Sequence, residues 1–264
     1  MWQSMNRRVR QSIFVIGLVT SGVAIVATLK LLKPMDEPSY NNKPLSAWLD
    51  DRITRPDGTA VLSDESVFAV QQIGHQAIPE LLQWLQYSDP PGFRQLRFGA
   101  NIPVPLNDVW RTRAMYGFRA LGDAAAPAIP DLVKLALYEQ DEPVRLAAIN
   151  TLTNHHPEAL RLLSASLRST DPAARLQAAD VFGYIRPAAA IPLLTAALSD
   201  SDAGVRAKAA RALRFYVSPL VPDVTLDALN AMSSDSDMTV RVAAQSAIDS
   251  QTAYRQSGMF SSKP

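Results

Sequence analysis

The sequence predicts an all-α protein: a right-handed α-solenoid of about five helix pairs, preceded by an N-terminal transmembrane helix. Three observations carry this. A helical pattern recurs at fixed offsets around Arg111, Arg145, Arg175, Arg206 and Arg241, at intervals of 34, 30, 31 and 35 residues. Self-similarity at that period marks stacked supersecondary units. Between the copies lies a second helical pattern that opens on an early proline, as in Ala77-Ile78-Pro79, Ala128-Ile129-Pro130 and Ala190-Ile191-Pro192. Proline is tolerated in a first helical turn, where its missing N–H would have had no partner. Finally, residues 12–29 contain no charged side chain.

The chain begins with residues 1–33, read as a membrane anchor. Residues 12–29 lie at the short end of a membrane span, and Leu31 and Leu32 extend it to residue 32 if Lys30 reaches to the interface. Arg7, Arg8 and Arg10 precede the span, which predicts a cytoplasmic N-terminus and a solenoid outside the cytoplasmic membrane. The competing reading is a cleaved signal peptide, which would release the body; Ile25-Val26-Ala27 is a weak cleavage site and the apolar run is long for that role.

Residues 34–62 read as a linker and N-terminal cap. Three prolines mark 34–44, Ser46 is placed to cap a short helix carrying Trp48 and Leu49, and 52–62 form a loop around Pro56-Asp57-Gly58. A cover of this kind suits the open end of a repeat array. Residues 63–250 are the solenoid. Its first unit is degenerate: Asp64 and Val67 fit the pattern, but Phe68 replaces Arg and Gln71 replaces Ala, and Gly74 ends the helix. Residues 88–106, with four prolines and two glycines, interrupt the period as an inserted loop holding Phe93, Arg94 and Arg97. Aromatic and Arg side chains in a long loop suit protein contact. Beyond it, arginine-bearing helices are predicted near 107–122, 141–153, 171–185, 202–216 and 236–250, and the alternate helices near 125–138, 157–168, 187–199 and 219–233. Residues 251–264 read as a frayed tail.

Measured from each Arg, residues at −1, +3 and +7 share one helix face and form the core stripe. At −4 stand Asp141, Asp171, Asp202 and Asp237, with Asn107 in the weaker copy around Arg111. Asp there caps the helix. In these features the chain resembles the HEAT-repeat family, specifically the short bacterial PBS-lyase-type repeats. Its Lys43-Pro44-Leu45-Ser46-Ala47-Trp48-Leu49 segment resembles one in membrane-anchored bacterial HEAT-repeat proteins. The resemblance implies that each Arg pairs with the turn Asp of its own or the adjacent repeat, a structural ladder rather than a phosphate-binding stripe. It also implies that the second helices line a concave face that binds a protein or peptide.

Residues off the core stripe of those helices are the candidate partner-binding positions: Asn150, Asn154, Gln177, Asp180, Tyr184, Lys208, Arg211 and Phe215, with Gln245 and Asp249 further on, and Phe93, Arg94 and Arg97 in the insertion. Enzymatic chemistry finds no motif. There is no cysteine, no Gly-x-Ser-x-Gly and no phosphate-cradling Gly-rich loop, and the recurrent acids stand one repeat apart. His155-His156 are adjacent and cannot share a metal as an i, i+4 pair can, and His75 reads as a helix terminus. No cofactor and no metal are expected. Of 26 basic residues five lie in 1–35, leaving 21 against 25 acids in 36–264, a net charge of −4 that speaks against nucleic acid. The expected function is a non-enzymatic interaction scaffold; the alternative is a HEAT-fold enzyme or accessory factor such as a bilin-lyase-like protein.

Overall fold

The computed structural model describes residues 37–88, 107–154, 157–216 and 221–256. The anchor at 1–33, residues 89–106 of the insertion with Phe93, Arg94 and Arg97, and the His155-His156 pair lie outside them. Among the described residues no helix is long and apolar enough to cross a membrane.

The N-terminal segment is more ordered than a linker. Strands β1 (Ser39–Tyr40) and β2 (Lys43–Pro44) pair antiparallel, and α1 (Leu45–Asp50) follows directly. Asn41 and Asn42 sit at φ 49° and 60°, the left-handed conformation that a two-residue hairpin turn needs. The cap position of α1 is Pro44, without a side-chain hydrogen bond, so Ser46 does not cap it. Trp48 and Leu49 are buried as expected. The expected loop at 52–62 is a second hairpin, β3 (Arg52–Thr54) with β4 (Ala60–Leu62). Asp57 bonds Thr59 through its backbone and hydroxyl, and Gly58 takes φ 83°, which closes the turn around Pro56.

Helix α2 (Asp64–Ile73) is capped by Ser63, which accepts from the Ser66 amide, so Asp64 is a first-turn residue and not the cap. The two departures from the repeat have local reasons. Phe68 meets Tyr40 of the cap edge-on at 6.1 Å, and the Gln71 amide donates to Ala120 O. Then follow α3 (Ile78–Leu85), α4 (Asn107–Leu121), α5 (Ile129–Tyr138), α6 (Glu142–Thr151), α7 (Pro157–Ser166), α8 (Pro172–Ile185), α9 (Ile191–Ala197), α10 (Ala203–Leu213), α11 (Asp223–Ala231) and α12 (Met238–Gln256). Prolines 79, 130 and 192 stand in the first turns of α3, α5 and α9.

The core is a seam along the array. Val144/Ala148/Leu152, Ala174/Ala178/Phe182 and Val205/Ala209/Leu213 are all buried, the stripe that the offsets predict. Small residues at its centre let α8, α10 and α12 stack closely on one another. The tail is shorter than expected, because α12 runs on to Gln256. Gln251 is buried, and its amide donates to the carbonyls of Leu213 and Tyr216 where α10 ends. Burial holds the Tyr216 hydroxyl strongly toward its protonated form, and it donates to Phe182 O at 3.1 Å.

Candidate partner-binding face

The turns between helices set how successive second helices lie. Asp141, Asp171, Asp202 and Asp237 all act as N-caps, each carboxylate accepting from a first-turn amide. Their pairing role differs from expectation. Arg175 makes a two-pronged bond, Nε and Nη2, to Asp200 at 2.7 and 2.8 Å, and Arg206 makes the same bond to Asp235 at 2.8 and 2.9 Å. The acid in each rung stands two residues before the next repeat's cap. The remaining Nη1 of Arg175, Arg206 and Arg241 donates to two carbonyls of the arginine's own turn. Capping occupies the −4 Asp, and the −6 Asp accepts the amide of the −4 residue while meeting the guanidinium of the preceding repeat. Arg111 approaches a cap acid instead, Asp141 at 3.7 Å. The Arg175 guanidinium holds the Asp200 carboxyl below its ordinary value, and Arg206 does the same for Asp235.

Arg145 departs from the ladder. Ser169 stands where its acid would be; like Asp200 and Asp235 it accepts the amide two residues on, but it offers no carboxylate. Arg145 turns to Glu142 at 3.0 Å and to Asp180 at 3.2 Å. The Asp180 carboxylate also accepts from Lys208 at 3.0 Å. One carboxylate thus ties α6, α8 and α10 together, and two of the predicted contact residues, Asp180 and Lys208, are partners of each other.

Beyond that pair the surface opens into a groove of ≈ 340 Å³ lined by Asp180, Gly183, Tyr184, Arg186, Lys208, Arg211, Ala212 and Phe215. The structure therefore brings together five predicted residues: Asp180, Tyr184, Lys208, Arg211 and Phe215. Tyr184 is 46% exposed and Phe215 51%. A Cβ built on Gly183 would lie 3.3 Å from the Cα and Cβ of Ala212, so glycine at 183 lets α8 and α10 meet and forms the floor. Asn150 lies apart from this groove, in a second hollow between α4 and α6 with Thr112, Met115, Tyr116, Arg119, Thr151 and Thr153. Gln177 is half-buried outside both, and Asn154 ends the short 3₁₀ turn Leu152–Asn154 after α6. Gln245 and Asp249 bond each other on the exposed side of α12. Among the described residues no group of three or more His, Asp or Glu is placed to hold a metal.

Residues 159–249 match the family of HEAT repeats. This stretch is similar to HEAT repeats. It includes all of the groove. No curated protein matches the chain. Human deoxyhypusine hydroxylase, solved in complex with glycerol, is similar over 72% of this chain and 78% of its own, at 22% identity and a TM-score of 0.38. An engineered protein is similar over 79% of this chain and 96% of its own, at 20% identity and a TM-score of 0.35. A second engineered protein covers 78% of this chain with 67% of its own, at 19% identity and a TM-score of 0.34.

Sequence reasoning missed Arg186, Asp200 and Asp235. The signal for the two acids was present in the repeated Asp200-Ser201-Asp202 and Asp235-Ser236-Asp237. That for Arg186 was its place after a second helix, where Gly74 and Gly122 end α2 and α4.

Proposed function

We propose that this chain is a non-enzymatic, membrane-anchored scaffold whose HEAT repeats bind a protein or peptide on the face of the second helices. HEAT repeats commonly serve as interaction scaffolds. The observation that carries the reading is the groove between α8 and α10, where exposed Tyr184 and Phe215 stand beside Arg211. Aromatic and Arg side chains dominate binding energy at protein interfaces. The uncharged run at 12–29 behind Arg7, Arg8 and Arg10 supports anchoring in the cytoplasmic membrane, with the repeats outside; cleavage after that run would instead give a secreted protein.

Affinity capture from solubilised membranes tests this, comparing the full chain with a Tyr184→Ala/Arg211→Ala double variant of unchanged melting temperature. One protein enriched by the wild type and lost with the variant supports the reading. Identical captured proteins from both would move the contact off this face. A coloured ligand copurifying with the chain, seen in its absorption spectrum, would favour the bilin-lyase-like alternative.

A further inference from the structure

The groove has a charge and a strain that its role as a generic contact face does not require. It is lined by three cations, Arg186, Lys208 and Arg211, against one carboxylate, Asp180. That carboxylate is already held by Arg145 and Lys208. Among the described residues Arg211 makes no ion pair or hydrogen bond, although it lies on the same groove one helical turn before Phe215. A cationic hollow is thus set into a body whose residues 36–264 sum to −4.

Arg186 supplies an independent observation. It terminates α8 with φ 50° and ψ 45°, the left-handed conformation that a side chain disfavours. Where α2 and α4 end, the chain also takes positive φ, at 61° and 54°, but with Gly74 and Gly122. Glycine is the unstrained choice at a helix C-terminus. At α8 alone of these three an arginine takes that place, and its side chain lines the groove, Nε resting 3.4 Å from Tyr184 O. Strain retained where a charged group faces a cleft points to use of that group.

We infer that the groove between α8 and α10 takes an extended acidic peptide, with carboxylates on Arg186 and Arg211 and a neighbouring apolar side chain between Tyr184 and Phe215. The inference rests on the binding face proposed above and names its partner's chemistry. Arg is suited to the task because its planar fork grips a carboxylate with two bonds. The aromatic walls confer selectivity over a bare anion, since they reward an apolar neighbour that a simple polyanion lacks.

The test uses the full chain in detergent and fluorescence anisotropy. The probe is a fluorescein-labelled peptide of repeating Glu-Phe-Ser, with Lys-Phe-Ser and Glu-Ser-Ser versions as controls. The Glu-Phe-Ser peptide should bind, the Lys version should not, and the Glu-Ser-Ser version should bind more weakly. Arg211→Glu should weaken binding by about tenfold or more. Arg186→Gly should weaken it while leaving the melting temperature equal or higher, because glycine relieves the left-handed strain. A merely structural Arg186 would show the opposite pair of results. Equal binding of the Lys peptide, or unchanged affinity in both variants, overturns the inference. So does inorganic polyphosphate displacing the peptide at equal charge concentration. If capture of a membrane partner is lost in the Tyr184→Ala/Arg211→Ala variant but the acidic peptide does not bind, the face stands and the acidic chemistry falls. If capture is unaffected while the peptide binds through Arg211, the reverse holds.

Discussion

The two ends of the array are held by different chemistry. From α8 to α12 the turns are tied by repeated rungs, Arg175 to Asp200 and Arg206 to Asp235, each guanidinium also closing its own turn. From the cap to α4 no such rung occurs among the described residues. Arg113 binds Asp50 of the cap with both prongs and lies over the Trp110 ring at 4.5 Å. Trp110 packs on Trp84 at 5.1 Å, and the Tyr116 hydroxyl donates to Ala60 O. A repeated rung needs only that each unit offer the same two groups at the same offsets. A terminal unit has no neighbour on one side, and must build its own cover from side chains that occur once.

That contrast can be sharpened by substitution. The largest effect belongs to the shared seam and not to either device. Phe182→Ala removes a fully buried ring and should cost about 3–5 kcal/mol in urea unfolding, as should Trp84→Ala at the other end. If one of these cost under about 1 kcal/mol, its end of the array would be packed more loosely than the burial shows. Next comes capping: Asp202→Ala leaves the Val205 amide without its acceptor and should cost about 1 kcal/mol. The rungs should show mainly in pH dependence. Asp200 and Asp235 are depressed below their ordinary 3.8 by the donating arginines. A carboxyl depressed on folding stabilises above its unfolded value and loses that contribution as pH falls through its folded one. Thermal stability should therefore decline below about pH 4, and Asp200→Asn should flatten that decline; an unchanged pH profile would mean the rung adds nothing. The smallest global effect is expected for Arg113→Ala. It should speed amide exchange and proteolysis in 38–62 while hardly moving the main unfolding transition, and uniform destabilisation would merge the cap with the array.

The same contrast explains what could be read in advance. The rung-bearing half was legible because its positions repeat: Val205, Ala209 and Leu213 sit in the seam as Val144, Ala148 and Leu152 do. The groove was partly legible for the same reason, since Asp180, Tyr184, Lys208, Arg211 and Phe215 follow from helix periodicity. Its mutual pairing was not, because whether Lys208 meets Asp180 or solvent depends on how α8 and α10 are set side by side. The capping hairpins went unread although Asn41-Asn42 is a turn signal, because strands of two or three residues leave too little alternation to see. The acid of each rung was misassigned because the −4 and −6 positions are both Asp in the two complete rungs. Only the geometry of the turn separates the one that caps from the one that pairs.

The Ser169 turn has a mechanical meaning. Elsewhere in the second half a pull along the array would load short bonds between turns, at the edge of the stack. Between α6 and α8 the load would pass to Arg145 and the single carboxylate of Asp180, on the helix face beside the groove. That tie sits next to the groove, whose lining includes Asp180. Tension between α6 and α8 and occupancy of the groove would therefore act on the same carboxylate.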